Sequence, residues 1–563
     1  MASIQPHRVR AGRGTELVLL VPALGLGIAG YVLAGLGMTG EVPQHVIAYA
    51  VGTTVLALAV HVVLRLRAPY ADPVILPVVV ALNGIGLAMI YRISIAYAER
   101  GRTSDFADKQ LIWAAISVGL AITVLLVLRD HRTLRRYMYT AMVAGLVLVL
   151  LPLTPIGTEI NGARIWVSLG PAGMQPAEFA KIAFAVFFAG YLVTHRDTLA
   201  LAGKKVLGLQ LPRARDLGPI IIVWAVSLVV LVLQRDLGTS LLFFGLFVAM
   251  LYVATERTSW IVIGMLLFVG GAAAAASTFG HVAARFDVWL HALDPEIYDR
   301  DPGGSGQLVR GLFGMANGGL FGTGWGQGRP DIVPYAESDF IIASMGEELG
   351  LTGLLAILVL YTILFQRGMR TAIGVRDGFG KLMAGGLSFV VALQLFIVVG
   401  GVTRLIPLTG LTTPFLAYGG SSLVANWVIV ALLLRISDEA RRPAPAMTPV
   451  LTPDSGVPVA AATEVAGRGD GSGDSRREDR GGSDDETSLI EGLGGPPPGT
   501  PQAGTPRAGT PRLGVPRTST PRGGTPQAPA PVAGPATGPV RRSARPAEGP
   551  DDQHTQWIGG DGR

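Results

Sequence analysis

An all-α polytopic membrane protein is the fold class this sequence predicts, and three observations predict it. Half of the 563 residues are hydrophobic, with a mean hydropathy of +0.46. Only 15% are charged, against about a quarter in an ordinary soluble domain. Apolar runs of spanning length, about 20 residues each, recur from the N-terminus to residue 436. The absence of cysteine excludes disulfide frameworks, thiolate nucleophiles and Cys-based metal sites. The sequence has no nucleotide-binding glycine loop, Ser-His-Asp arrangement or His-rich metal site, and no nucleic-acid partner is expected.

Candidate spans centre on 17–38, 45–64, 73–91, 110–128, 137–152, 177–194, 217–233, 237–254, 259–278, 340–365, 382–401 and 413–434, about twelve transmembrane helices. The first follows Arg8, Arg10 and Arg13. It is longer than the roughly 7–15-residue core of a signal peptide, so it reads as an uncleaved helix. The chain divides into an N-terminus 1–16, two additional helices 17–72, a core 73–436 with a large loop 279–339, and a tail 437–563.

Lys and Arg sort between alternate loops and set orientation. Arg65/Arg67, Arg129/Arg132/Arg135/Arg136, Arg196/Lys204/Lys205/Arg213/Arg215, Arg367/Arg370/Arg376/Lys381 and Arg435/Arg441/Arg442 fall on one side. With the N-terminal arginines they place both termini in the cytoplasm. Arg92, Arg100, Arg102 and Lys109 are the exception, on the outer side. From about Pro443 the composition changes. Asp474–Glu486 is a mixed-charge run, and Thr-Pro follows at Thr500, Thr505, Thr510, Thr520 and Thr525. This Pro/Gly-rich tail has too few large apolar residues for a core, so it is expected to be disordered.

Four constellations carry the chemistry, all at outer helix ends. Asn161-Gly-Ala-Arg-Ile-Trp166 offers Arg164 for a phosphate and Trp166 for stacking on a sugar or lipid; an interfacial Trp with a snorkelling Arg fits as well. In Gln175-Pro-Ala-Glu-Phe-Ala-Lys181, Pro176 suits a first helical turn. Glu178 and Lys181 share a face, as an ion pair or as site residues. In Gln234-Arg-Asp-Leu-Gly-Thr239, Asp236 suits a helix cap. Gly318–Gly353 runs from glycine-rich loop into apolar helix with Asp339, Glu347 and Glu348 at its start. Carboxylates at membrane depth are costly and point to function. Asp339 is a helix cap, a general base, or both, and Glu347 lies roughly 80° round the helix from it, where the two would border one cavity. Arg404 with the following loop, and Tyr418-Gly-Gly-Ser-Ser422 with Ser421 and Ser422, complete the set.

In this order, these motifs resemble the SEDS family of bacterial cell-wall polymerases, which includes RodA and FtsW. The resemblance covers about 73–436: a ten-helix core behind two extra N-terminal helices. Arg329-Pro-Asp-Ile-Val-Pro and Pro69-Tyr-Ala-Asp-Pro73 are more similar to the RodA branch. Pro334-Tyr-Ala-Glu-Ser-Asp339 departs from the family's usual Pro-Glu-Ala-His-Thr-Asp, and Gln234-Arg-Asp from Gln-Pro-Asp.

The resemblance implies a peptidoglycan glycosyltransferase of the bacterial cytoplasmic membrane, serving elongation and shape. It would polymerise lipid II from undecaprenyl-pyrophosphate-linked glycan, beside a class B penicillin-binding protein and among membrane lipids. The family's aspartate maps onto Asp339, the expected catalytic base for an inverting displacement, and its loop tryptophan onto Trp166. Arg164, Trp166, Glu178, Lys181, Arg404, Ser421 and Ser422 are the expected substrate-binding residues. Arg164, Lys181, Arg404 or a divalent cation (Mg or Mn) would face the leaving pyrophosphate. A lipid II flippase is the alternative, and a scaffold that recruits a transpeptidase is a third reading.

Overall fold

The computed structural model describes residues 12–102, 105–160, 163–169, 172–200, 205–206, 209–210, 218–300, 303–443, 450–451 and 458–459. Four long helices open the chain: α1 (Arg13–Thr39), α2 (Val46–Arg67), α3 (Ile75–Glu99) and α4 (Phe106–Val127). Short α5 (Thr133–Arg136) and α6 (Met138–Leu150) lead to an antiparallel sheet, β1 (Gly157–Ile160), β2 (Ala163–Leu169) and β3 (Ala172–Met174). Then follow α7 (Pro176–Ala200), α8 (Gly218–Gln234), α9 (Leu237–Thr255) and α10 (Ser259–Thr278). A helical excursion, α11 (Gly280–Leu290), α12 (Pro295–Tyr298) and α13 (Gly306–Gly318), precedes α14 (Ile341–Gly374), α15 (Gly378–Val402) and α16 (Gly420–Arg441).

Among the described residues, ten helices are long and apolar enough to cross a membrane: α1–α4, α7, α9, α10 and α14–α16. The spans expected at 137–152 and 217–233 are helices too, but shorter, with 13 residues in α6 and 17 in α8. The spans of α3, α15 and α16 are 78, 72 and 89% buried, whereas those of α2 and α10 are 22 and 17% buried. The first group is therefore the centre of the bundle, and the second faces lipid. Lipid tails are as apolar as leucine, so close backbone approach holds such helices together. Where α1 crosses α3, a Cβ added at Gly27 would sit 2.8 Å from the Gly84 Cα.

Three local outcomes differ from the sequence expectations. Residues 153–176, between the candidate spans at 137–152 and 177–194, hold the small sheet, and the large loop 279–339 carries three helices. Arg92, expected in an outer loop, lies inside α3 and is buried against Glu348. The last helix runs past residue 436 to Arg441. The disordered tail expected over 437–563 otherwise lies outside the described residues, apart from two short strands.

Helix α14 is broken at Gly350, whose φ of 66° and ψ of −172° suit only glycine. The break exposes backbone groups, which must find partners inside a membrane. Loop 318–324 supplies them. Thr323 N donates to Glu347 O (3.0 Å) and Gly324 N to Glu348 O (2.9 Å), while Leu351 N and Thr352 N donate to Gly319 O and Leu320 O (3.0 Å each).

Candidate active site

The site grows from one end of the bundle, where α3 and α8 end, α7, α9, α14 and α16 begin, and segment 403–419 crosses between α15 and α16. Hydrogen bonds tie these pieces together. Gln175 N donates to Ser421 Oγ (3.0 Å), Gln110 Nε2 to Ala417 O (3.1 Å) and Tyr418 N to Glu337 O (2.8 Å).

Asp339 stands two residues before α14. The helix is capped instead by Phe340, with no side-chain cap bond, so the expected capping role of Asp339 is not what the backbone adopts. The reason is local: Tyr335 takes a left-handed φ of 57° and Phe340 N folds back to Tyr335 O (3.1 Å). The residue is half-buried, and Gly410 leaves its carboxylate room: a Cβ there would lie 3.7 Å from Oδ2.

Three charged groups surround it. Asp236 caps α9, accepting from Thr239 N (3.0 Å) and Thr239 Oγ1 (2.5 Å), as its spacing predicts. Glu337 is buried and accepts from Tyr97 Oη at 3.0 Å. Arg285, on α11, donates to Leu408 O (2.8 Å) and lies close enough to act on both Asp236 and Asp339.

Asp236 and Asp339 thus share one nearby arginine, Glu337 adds its charge against Asp339, and their proton affinities respond. Burial, then the charges of Glu337 and Asp236, push the Asp339 carboxyl up to about 7, with Arg285 pulling the other way. Burial also raises Asp236 and Glu337, and lowers Arg285. A carboxyl balanced near neutrality can accept a proton in a reaction at neutral pH.

The other expected residues fall into separate groups. Glu178, Lys181, Ser421 and Ser422 come together in a buried polar cluster. Lys181 Nζ donates to Glu178 Oε2 (2.5 Å), Gln394 Oε1 (2.8 Å) and Asn426 Oδ1 (3.2 Å). Asn426 Nδ2 in turn donates to Ser422 Oγ (3.2 Å). Pro176 occupies the first position of α7 as expected. Arg404 has φ 60° and donates to Trp289 O and Leu290 O (2.6 Å each), while Trp289 Nε1 returns a bond to Arg404 O (3.0 Å). Its guanidinium thereby caps the C-terminal carbonyls of α11, the helix that carries Arg285.

Arg164 and Trp166 lie on β2. Arg164 donates to Thr154 O (3.1 Å), and Trp166 pairs with Thr158 across the sheet. The Arg235–Glu159 ion pair (4.0 Å) links this sheet to the turn that bears Asp236. Glu347 turns away from Asp339, accepting from Arg329 N at 2.9 Å, so the two do not border one cavity as expected. Among the described residues no group of three or more His, Asp or Glu side chains converges as a cation cage.

Sequence reasoning missed Arg285, Tyr97, Gln394 and Asn426. The two amides carried a usable signal, since lone polar side chains in apolar helices seek partners across helices. Arg285 carried none, because α11 reads as an ordinary polar loop helix.

Residues 73–442 match the profile of the FtsW/RodA/SpoVE family, described as cell cycle proteins. The chain belongs to this family. Peptidoglycan glycosyltransferase RodA of Mycobacterium tuberculosis is 49% identical over 435 residues, covering 77% of this chain and 92% of the relative. The protein of the same name from Mycobacterium leprae is 46% identical over 432 residues, covering 77% and 91%. A solved structure described as "Structural coordination of polymerization and crosslinking by a peptidoglycan synthase complex" matches the fold with a TM-score of 0.52 at 24% identity, over 66% of this chain and 99% of that one. The family match begins at Pro73, so α1 and α2 stand in front of it.

Proposed function

We propose that this chain is a RodA-like peptidoglycan glycosyltransferase that polymerises lipid II at the outer face of the cytoplasmic membrane, with both termini inside. The observation that carries the reading is the placement of the Asp339 carboxyl where the helices end, with Glu337, Asp236 and Arg285 all near enough to act on it. The two relatives at 49 and 46% identity both bear the name peptidoglycan glycosyltransferase RodA.

The donor is the growing glycan on its undecaprenyl pyrophosphate, and a second lipid II is the acceptor. The acceptor hydroxyl oxygen attacks the donor anomeric carbon while its proton passes to Asp339. A new glycosidic C–O bond forms and the anomeric C–O bond to pyrophosphate breaks. The pyrophosphate leaves with the electron pair, and configuration inverts. Such general-base help contributes about 10²–10⁴-fold. Arg285 is the cation placed to face the leaving charge. Arg404 holds α11, and with it Arg285, in place. Glu178, Lys181, Ser421 and Ser422 frame the floor of the site, and Arg164 and Trp166 present the sheet to sugar or phosphate. An apolar groove of about 390 Å³ between α8 and α10, lined by Val232, Leu266, Gly270, Ala274, Thr278 and Phe279, suits a polyprenyl chain entering sideways. The proposed partner is a class B penicillin-binding protein that supplies crosslinking.

Purified protein given labelled lipid II, with and without that partner, tests the reading. Long glycan strands on a gel are expected. Movement of lipid II between leaflets without strands would make the chain a flippase instead.

A further inference from the structure

Arg92 and Arg100 run against the charge rule that orients the chain. Arg92 also sits two turns inside an apolar helix, where an arginine costs roughly 2.5–3.5 kcal/mol on insertion scales. Apolar residues would pack that site at least as well as a buried ion pair. Stability alone therefore does not account for these charges, but the segment they hold does.

Arg92 is 1% exposed. Its Nε pairs with Glu348 and its Nη2 donates to Gly328 O at 2.5 Å. Glu348 Oε2 accepts from Gly326 N at 3.0 Å. Arg100 pairs with the Asp331 carboxylate and donates to Asp331 O at 3.2 Å. Tyr97 donates to Glu337. α3 and the Arg100 that follows its last turn thus grip the irregular segment at 328, 331 and 337, the last grip two residues before Asp339. The same helix is packed tightly by α1, whose Gly37 O accepts from Gln327 Nε2 at 3.0 Å.

We propose that Arg92, Tyr97 and Arg100 are positioning residues: α3 is a rigid edge that sets where Asp339 stands relative to Arg285 and Asp236. This rests on the reading of Asp339 as the base. None of the three touches the reacting atoms. They act through the segment, where a misplacement of 1 Å can cost about 10²-fold in rate.

The experiment compares full-length wild type, Tyr97→Phe, Arg92→Lys and Asp339→Asn with labelled lipid II from pH 5 to 9, well below each variant's unfolding midpoint. Tyr97→Phe removes one hydroxyl and leaves the helix apolar. It is expected to lower kcat about tenfold, with KM and the unfolding midpoint near wild type. The acid limb of kcat is expected to move to lower pH. Without the tyrosine bond Glu337 holds its proton more readily, so it repels the Asp339 charge less; Asp236 and Arg285 still face Asp339 unchanged. Arg92→Lys keeps a charge opposite Glu348 and loses the bond to Gly328 O. It is expected to lower kcat with KM unchanged. Unchanged kcat per folded molecule and an unmoved acid limb in Tyr97→Phe, with Arg92→Lys changing only the midpoint, would overturn the positioning role. Strand synthesis by Asp339→Asn would overturn the base itself, and is read separately from the other two variants.

Discussion

Two clusters of buried charge lie near the same end of this bundle, and they are built on opposite plans. In the first, the one carboxylate has its own cation. Glu178 pairs with Lys181, and the cation's remaining protons reach Gln394 and Asn426; Glu348 pairs with Arg92 in the same manner. In the second, Asp236 and Asp339 share Arg285, and Glu337 adds a further negative charge against Asp339. Balanced pairs fix helices and leave nothing to react. The unbalanced group keeps one carboxyl near neutrality, which suits a base but not a structural tie.

The largest effect expected to break this comparison comes from Asp339→Asn. Strand synthesis should fall by about 10²–10⁴-fold while the protein still inserts and folds. Its stability should move the other way. The Asp339 carboxyl is raised in the folded state to about 7 from an ordinary 3.8, so the native protein binds a proton that the unfolded chain releases between those values. Wild-type stability contributed by this group is present below pH 4 and is lost as pH rises through 7. The asparagine variant should match wild type in thermal unfolding at low pH and exceed it above pH 7.

Next is Arg285→Gln. Removing the shared cation should lower kcat by about 10²–10³-fold, as losing a charge-stabilising donor does elsewhere. It should also push the acid limb of the rate profile to higher pH, since Arg285 opposes the rise of Asp339. An acid limb that stays put would mean Arg285 does not act on the base.

In the balanced cluster, Lys181→Met should act on folding first. It strands the buried Glu178 and should cost about 3–5 kcal/mol, while adding Glu178→Gln should restore most of that. Unfolding in detergent reads both. Asp236→Asn should have the smallest effect. Asparagine caps a helix about as well as aspartate, so the unfolding midpoint should hold. The lost charge should shift the acid limb to lower pH, and a shift to higher pH would contradict the repulsion between Asp236 and Asp339.

Much of this was legible in the sequence because the membrane enforces simple rules. Spans follow from runs of apolar residues, and ten of the expected helices meet the length and hydropathy of a crossing. The i,i+3 spacing of Glu178 and Lys181 anticipates their ion pair, and Asp236 with Thr239 anticipates its cap, because both are local geometry. The arginines at 92 and 100 were legible only as anomalies. Their partners lie more than 200 residues away, beyond any pattern that spacing can carry.

The sequence by itself determined that the chain is a helical membrane protein, where its polar motifs fall, and that Asp339 is the carboxylate to watch. Local physics suffices for that: hydropathy over 20 residues, helical period, and turn chemistry. Only the tertiary structure decided that Asp339 is not a cap, that Arg285 lies near enough to act on it while Arg404 caps α11, that Glu347 turns away, and that α3 holds the segment in between. Each of those outcomes depends on side chains from distant helices sharing a buried space, where proximity and desolvation set charge and proton affinity.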